Sequence, residues 1–278
     1  MRERLFYLIS KYNFKPNRNL GQNFLMVPDI IERNIERAEL SEKDTVLEIG
    51  PGLGVLTEVL AKRAGKVYAI ERDLRLVQIL RNEYNWSNVE IIEGDVLRVP
   101  LPEFNKVVSN LPYQISSPIT FRLLEHDFER AVLVYQLEFA KRMVAEPGDK
   151  NYSRLSLMIQ ARAHAEIAER IGRGAFWPKP EVDSAVVVLT PKPRGERIEL
   201  NKNLVRALFQ HRGSTVLSAL KKSHHMLGLN REEFKRMRKE LGSLPHGEKR
   251  VFQLSPEEVK EIEGVLSGMS IIPPGGSP

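Results

Sequence analysis

Four consecutive residues, Asn110-Leu-Pro-Tyr113, combine a side-chain carboxamide, a backbone carbonyl stiffened by the proline after it, and an aromatic ring. Two hydrogen-bond acceptors beside a flat plate suit one kind of chemistry, the alkylation of an exocyclic aromatic amine such as that of adenine. The lone pair of that nitrogen is delocalised into the ring, which makes it a poor nucleophile. Asn110 offers a side-chain oxygen and Leu111 a main-chain oxygen to the two N–H bonds. Tyr113 can stack on the base, a contact worth about 1–3 kcal/mol. Acceptors placed there favour the transition state, in which the amine loses planarity and gains positive charge. The alkylated amine sheds its proton readily, so no strong general base is required. Alone, the same four residues also make an ordinary turn, and their meaning depends on three further sites.

Glu48-Ile-Gly-Pro-Gly-Leu-Gly54 follows a short apolar run and opens a helical one. Glycines at 50 and 52 let backbone N–H groups and the helix start approach a ligand with no Cβ in the way. The pattern is G-x-G-x-G with Val55 next, which departs from the G-x-G-x-x-G of dinucleotide sites. Glu71 lies 21 residues after Gly50 at the end of the next apolar run, where an acid accepts bonds from both hydroxyls of a ribose. Gly94-Asp95 follows the third run, within reach of an adenine amino group. A plainer alternative pairs Glu71 with Arg72 or Arg75 at the surface.

The elements that must carry these residues follow from periodicity. Strands are expected at 45–49, 66–70, 89–92, 106–109 and 131–135, with helices at 53–64, 74–84 and 118–126 between them. That rhythm predicts an α/β fold, a mainly parallel sheet with helices on both faces. The chemistry-bearing residues then share the C-terminal edge of the sheet, where such folds bind ligands. Residues 139–145 and 153–163 read as helical, 164–171 as extended and 182–190 as a strand. Pro191-Lys-Pro-Arg-Gly195 reads as a boundary, and three helices are expected beyond it, at 201–211, 215–223 and 231–241. The expected division is 1–192 for a cofactor-binding catalytic domain, 193–270 for a basic helical domain and 271–278 for a disordered tail.

Composition narrows the function further. The 278 residues carry 42 Lys and Arg against 36 Asp and Glu, for a net charge of +6. From Lys192 to Arg250 there are 15 basic and 6 acidic residues, so the C-terminal part is strongly positive and the rest slightly negative. A basic segment beside a mildly acidic body suits a polyanion, although a merely solvated surface would look the same. There is no cysteine, which excludes disulfides, thiolate metal sites, cysteine-held clusters and cysteine nucleophiles. Methylation at pyrimidine C5 and radical carbon methylation, which rely on such cysteines, are disfavoured with them. His224 and His225 lack an acidic partner at ligand spacing and read as surface groups, so no metal is expected. No apolar run is long enough to span a bilayer, and the N-terminus lacks a long apolar core and cleavage site, so a cytoplasmic location is expected.

With these residues in place, the sequence resembles the ribosomal RNA adenine N6,N6-dimethyltransferases that act on small-subunit RNA, and within them an archaeal member. The resemblance spans nearly the whole chain. It implies a Rossmann-like methyltransferase sheet with a small C-terminal α-helical domain that binds RNA, and S-adenosyl-L-methionine as cofactor. Asn19-Leu-Gly-Gln-Asn-Phe-Leu25 matches an N-terminal motif whose Asn23 and Leu25 would contact the cofactor. Gly50 would lie against its methionine part, with Gly52 in the same turn, Glu71 would hold its ribose and Asp95 its adenine. Asn110 would meet both cofactor and target amine. Phe176-Trp-Pro-Lys-Pro-Glu-Val-Asp-Ser184 matches a late motif, and Phe176 would sandwich the target base against Tyr113. The implied partner is small-subunit ribosomal RNA in a pre-ribosomal particle, met by a monomer. Methylation of large-subunit RNA, as in antibiotic-resistance enzymes, and a non-catalytic assembly role are the alternatives.

Overall fold

The computed structural model describes residues 2–233 and 241–272. The helix expected over 231–241 therefore lies largely outside the described residues, as do positions 273–278.

Seven strands form one sheet in the order β4-β3-β2-β5-β6-β9-β7. They are β2 (Thr45–Ile49), β3 (Lys66–Glu71), β4 (Val89–Glu93), β5 (Lys106–Asn110), β6 (Arg130–Gln136), β7 (Ala163–Ile171) and β9 (Ser184–Pro191). Strands β2 to β6 are parallel, and β9 runs antiparallel to β6. The chain lays down β2, β3 and β4 outward in one direction and returns to place β5 on the other side of β2. The strand order thus reverses between β2 and β5, and a crevice opens beyond their C-terminal ends at such a reversal. Ile49 pairs with Ile70, Glu71 with Glu93 and Asn110 with Val134, so the glycine turn, Glu71, Asp95 and the tetrapeptide reach the same edge.

Helices α2 (Pro28–Ala38) and α3 (Val55–Ala61) cover one face of the sheet. Proline opens α2 because its missing N–H is one the first turn leaves unpaired anyway. Ile31 and Ile35 of that helix share an apolar cluster with Val46, Val67, Val108, Val132 and Val134, alternate residues of their strands. α4 (Leu74–Glu83) starts at Asp73, whose carboxylate accepts the Arg75 N–H at 3.1 Å. α5 (Ser116–Leu123) leads from the tetrapeptide to β6.

Three elements here had no counterpart in the sequence expectations. Helix α1 (Arg2–Lys11) buries Leu5 and Leu8 in a satellite cluster with Phe14, Phe24, Leu53, Leu76 and Ile79. The two-residue strands β1 (Phe24–Leu25) and β8 (Phe176–Trp177) pair antiparallel, Leu25 opposite Phe176.

The chain divides into two compact units, Met1–Ala140 with Ala165–Pro191, and Lys141–His164 with the chain from Lys192 onward. Residues 141–164, assigned above to the first domain, pack in the second. Tyr152 is fully buried among Leu204, Leu208 and Val216, and its hydroxyl donates to the Leu254 carbonyl at 2.8 Å. The second unit also contains an unanticipated helix, Pro256–Gly268, opened by a reciprocal cap between Ser255 and Glu258. Ile271 and Ile272, assigned to the tail, are buried in its core. Among the described residues no helix is long and apolar enough to cross a membrane.

Candidate active site

The glycine turn after β2 is conformationally committed. Gly50 has φ +69° and Gly52 φ +60°, the left-handed region that residues with a Cβ avoid. A Cβ on Gly52 would stand 2.8 Å from the Phe24 ring, and one on Gly50 3.4 Å from the ring of Pro112. The turn is pressed between the N-terminal segment and the Asn-Leu-Pro-Tyr loop. It lines a cleft together with Asn23, Leu25, Glu71, Asp95, Asn110, Leu111 and Tyr113, so nearly every expected site residue is brought to one place.

Glu71 is not a surface partner of Arg72 or Arg75. It is 6% exposed at the end of β3, and one carboxylate oxygen accepts the Gly52 N–H at 3.1 Å, the other the Asp73 N–H at 2.8 Å. With the Arg72 N–H also acting on it, the carboxylate still keeps acceptor capacity for a ligand hydroxyl. Burial pushes its pKa above the ordinary carboxylate value, and the backbone donors oppose that rise. Asp95 accepts the Leu97 N–H at 3.0 Å, and the Arg72 guanidinium stands 3.7 Å from it. That fixes one carboxylate oxygen and holds the side chain at the cleft rim.

At the end of β5, Ser109 donates to the Ile49 carbonyl at 2.5 Å, which joins the strand to the glycine turn. Asn110 donates its amide N–H to the backbone carbonyl of Asn23 at 2.8 Å. A carbonyl oxygen only accepts, so the NH₂ must face it and the side-chain oxygen must face the other way. Leu111 is buried, which anchors the loop. The Tyr113 hydroxyl meets Ser184 Oγ at 2.7 Å, and burial raises its pKa. Ser184, fully buried at the start of β9, thereby holds the ring from the far end of the late motif.

Phe176 is placed differently from what the resemblance implies. Its ring is 2% exposed, in the apolar cluster of Leu25, Ile31, Val134 and Val186, and it does not line the cleft. The cause is the pairing of β8 with β1: alternate residues of a strand point to opposite sides, so Phe176 turns to the core while Trp177 stacks on Phe24.

Residue-type reasoning passed over Glu48, although it opens the glycine motif. It is 1% exposed on the strand face shared with Val46, lines the cleft, and its Oε2 has no hydrogen-bond partner among the described residues. Burial pushes its carboxyl up to about 8, with the charge of Glu71 adding to the rise. A buried carboxyl oxygen with no hydrogen bond is costly, and a cationic ligand group entering the cleft would relieve that cost. The fold binds a proton there that the unfolded chain has released between about pH 4.5 and about 8. Stability should therefore fall as pH rises through that window, by up to about 1.4 kcal/mol per pH unit from this group. Glu48→Gln, neutral throughout, should flatten the slope in urea unfolding between pH 5 and 8. Parallel slopes for parent and variant would remove Glu48 as the cause.

A family model described as Ribosomal RNA adenine dimethylase matches residues 13–243. The chain is 74% identical over 272 residues to the probable ribosomal RNA small subunit methyltransferase A of Thermococcus onnurineus, covering 98% of this chain and 100% of that one. It is 63% identical over 272 residues to the protein of the same name from Pyrococcus furiosus, with the same coverage. Among solved structures it is similar to a dimethyladenosine transferase from Plasmodium falciparum, with TM-score 0.76 and 30% identity over 89% of this chain and 98% of that one. It is also similar to the 23S rRNA methyltransferase ErmE, with TM-score 0.62 and 31% identity over 88% and 99% of the two chains.

Proposed function

Because the chain belongs to the ribosomal RNA adenine dimethylase family, we propose that it dimethylates N6 of two adjacent adenosines near the 3′ end of small-subunit ribosomal RNA. It is an S-adenosyl-L-methionine-dependent ribosomal RNA adenine dimethyltransferase built on a Rossmann-like methyltransferase sheet. The observation that carries the reading is the Asn110 amide, its N–H committed to Asn23 and its oxygen left to accept, one residue from the Leu111 carbonyl and three from the Tyr113 ring.

The cleft has the donor set for the cofactor. Glu71 would take both ribose hydroxyls, Asp95 the adenine amino group, and the unpartnered oxygen of Glu48 the ammonium of the methionine end. Gly50 and Gly52 leave room for it, and Asn23 and Leu25 close the N-terminal side. When bound, S-adenosyl-L-methionine supplies an electrophilic methyl on a sulfonium. The protein's part is to hold the target. Asn110 Oδ1 and the Leu111 carbonyl accept the two N–H bonds of the amine and draw its lone pair out of conjugation, and Tyr113 covers one face of the base. Water takes the proton released. The target adenosine must leave its stack to reach this edge of the sheet. The basic second unit would dock on RNA phosphates, within a pre-ribosomal particle in the cytoplasm and with the protein as a monomer.

Glu71→Ala should weaken cofactor binding by about 1.5–3 kcal/mol, the size of a hydrogen bond to a charged group. The Gly52 and Asp73 N–H groups also lose their acceptor, so titration calorimetry belongs at a temperature where the variant is folded. An unchanged dissociation constant would take the ribose away from Glu71.

Small-subunit rather than large-subunit RNA is favoured because the relatives at 74% and 63% identity carry the small-subunit name, against 31% for ErmE. The deciding experiment adds the protein and isotope-labelled cofactor to RNA and to particles from cells lacking the enzyme. Mass spectrometry should find label as dimethyladenosine in small-subunit RNA. Label confined to large-subunit RNA, or none, would overturn the assignment.

A further inference from the structure

We propose that Gln22 is a positioning residue for methyl transfer: it ties the turn that aims Asn110 to the loop that carries Glu71. The proposal rests on the role given above to Asn110. The orientation of the Asn110 amide depends on where the Asn23 carbonyl stands. That carbonyl belongs to a tight turn, in which the Asn23 side chain donates to the Gly21 carbonyl at 3.2 Å and Gly21 has φ +65°. A Cβ on Gly21 would stand 2.2 Å from the Gln114 side-chain oxygen, so the turn lies directly against the residue after Tyr113.

Gln22, between those two residues, reaches the opposite way. Its Nε2 donates to Asp73 Oδ2 at 2.8 Å, and its Oε1 accepts the Asn17 N–H at 2.7 Å. Asp73 in turn donates its backbone N–H to Glu71. Three hydrogen bonds, joined by the Gln22–Asn23 peptide and by Asp73 itself, therefore link Asn110 through Asn23, Gln22 and Asp73 to Glu71, from the methyl-accepting end of the cleft to its ribose-holding end. Arg75, bonded to the Lys15 carbonyl at 3.2 Å, holds the segment further upstream; Phe24, paired with Trp177, holds the far side of the Asn23 carbonyl, and Gln22 holds the near side from the loop that carries Glu71. Without the tie the turn would drift, and Asn110 would lose the contact that sets which of its two polar atoms faces the amine. A misplacement of about 1 Å at such a group costs on the order of 100-fold in rate.

The test uses the charge pattern of the tie. Gln22→Glu keeps the acceptor for Asn17 but sets a carboxylate against that of Asp73. It should lower kcat for methylation of small-subunit RNA at least tenfold and raise the cofactor dissociation constant by a clearly smaller factor, since Asn23 and Leu25 supply only part of the cleft lining. Adding Asp73→Asn restores a donor and an acceptor across the gap, with their places exchanged; the Arg75 guanidinium keeps its bond to Oδ1 at 3.0 Å but loses the one to Oδ2 at 2.6 Å, and Asp73→Asn alone in the same assay measures that separate cost. The Gln22→Glu/Asp73→Asn double variant should return kcat to within threefold of the parent. A structural lesion would move kcat and cofactor binding together, and the second substitution would not reverse it. Normal kcat in Gln22→Glu, or a loss that Asp73→Asn fails to repair, overturns the proposal. Asn110→Ala in the same assay separates the two claims. If it keeps full turnover, the role of Asn110 fails; if it is inactive while Gln22→Glu is normal, only the positioning role fails.

Discussion

Replacing Asn110 with alanine should cut turnover by about 10²–10³-fold or more, the loss seen when one group preorganised for developing charge is removed. Cofactor affinity should change only a few-fold, because Glu71, Asp95 and Glu48 line the same cleft from β3, from the loop after β4 and from β2 and, on the proposed reading, would hold the cofactor without it. The asymmetry arises from the amide's two ends. Its NH₂ is bound to the Asn23 carbonyl in the protein itself, so the oxygen has no cost of reorientation when the amine arrives. Serine at the same place would be too short to reach both partners and should recover little. Single-turnover methylation with calorimetry on the same preparation is the measurement. Turnover within tenfold of the parent would mean that the amine is held elsewhere, with the Leu111 carbonyl the nearest remaining acceptor.

Phe176→Ala should lower folding stability by about 3–5 kcal/mol, the usual loss for a buried phenylalanine truncated in a packed core. The ring is 2% exposed beside Leu25 and Val186, and the vacated space opens between β8 and the α2 face. Urea unfolding measures it. The outcome also decides between two roles. A ring acting only as a plate on the target base would lose turnover with its folding stability intact. A core ring loses stability first, and activity falls because β1, which carries Leu25 and adjoins Asn23, loses its support. Stability within about 1 kcal/mol of the parent together with lost turnover would move Phe176 out of the core and into the cleft.

The site was legible in the sequence to the extent that its residues sit at strand ends. Asn110, Glu71, Asp95 and the glycine turn each follow a local apolar run, and a parallel sheet brings such ends to one edge whatever else the chain does. Strand boundaries came out within a residue or two for the same reason. Ser255-Pro-Glu-Glu258 carried a helix-start signature too, and the helix it opens was nonetheless passed over. The two-residue strands β1 and β8 left no periodic trace, since two residues cannot show an alternation.

By itself, then, the chain determined its element rhythm, a mainly parallel sheet, and residue types suited to a nucleoside and to an amine, because these depend on near neighbours and on the 2.0 and 3.6 periods of strands and helices; the strand order, with β5 placed on the far side of β2, belongs to the tertiary structure. Tertiary structure decided the rest. Whether Phe176 faces a base or the core turns on its pairing with Leu25. Whether Tyr113 is held turns on Ser184, 71 residues away, and whether Asn110 is aimed turns on Asn23 and, through Gln22, on Asp73. Residues 141–164 join the second unit through the burial of Tyr152 against residues more than 50 positions later. Contacts so distant in sequence form only when the sheet exists to bring them together, and no local pattern encodes the angle at which they meet.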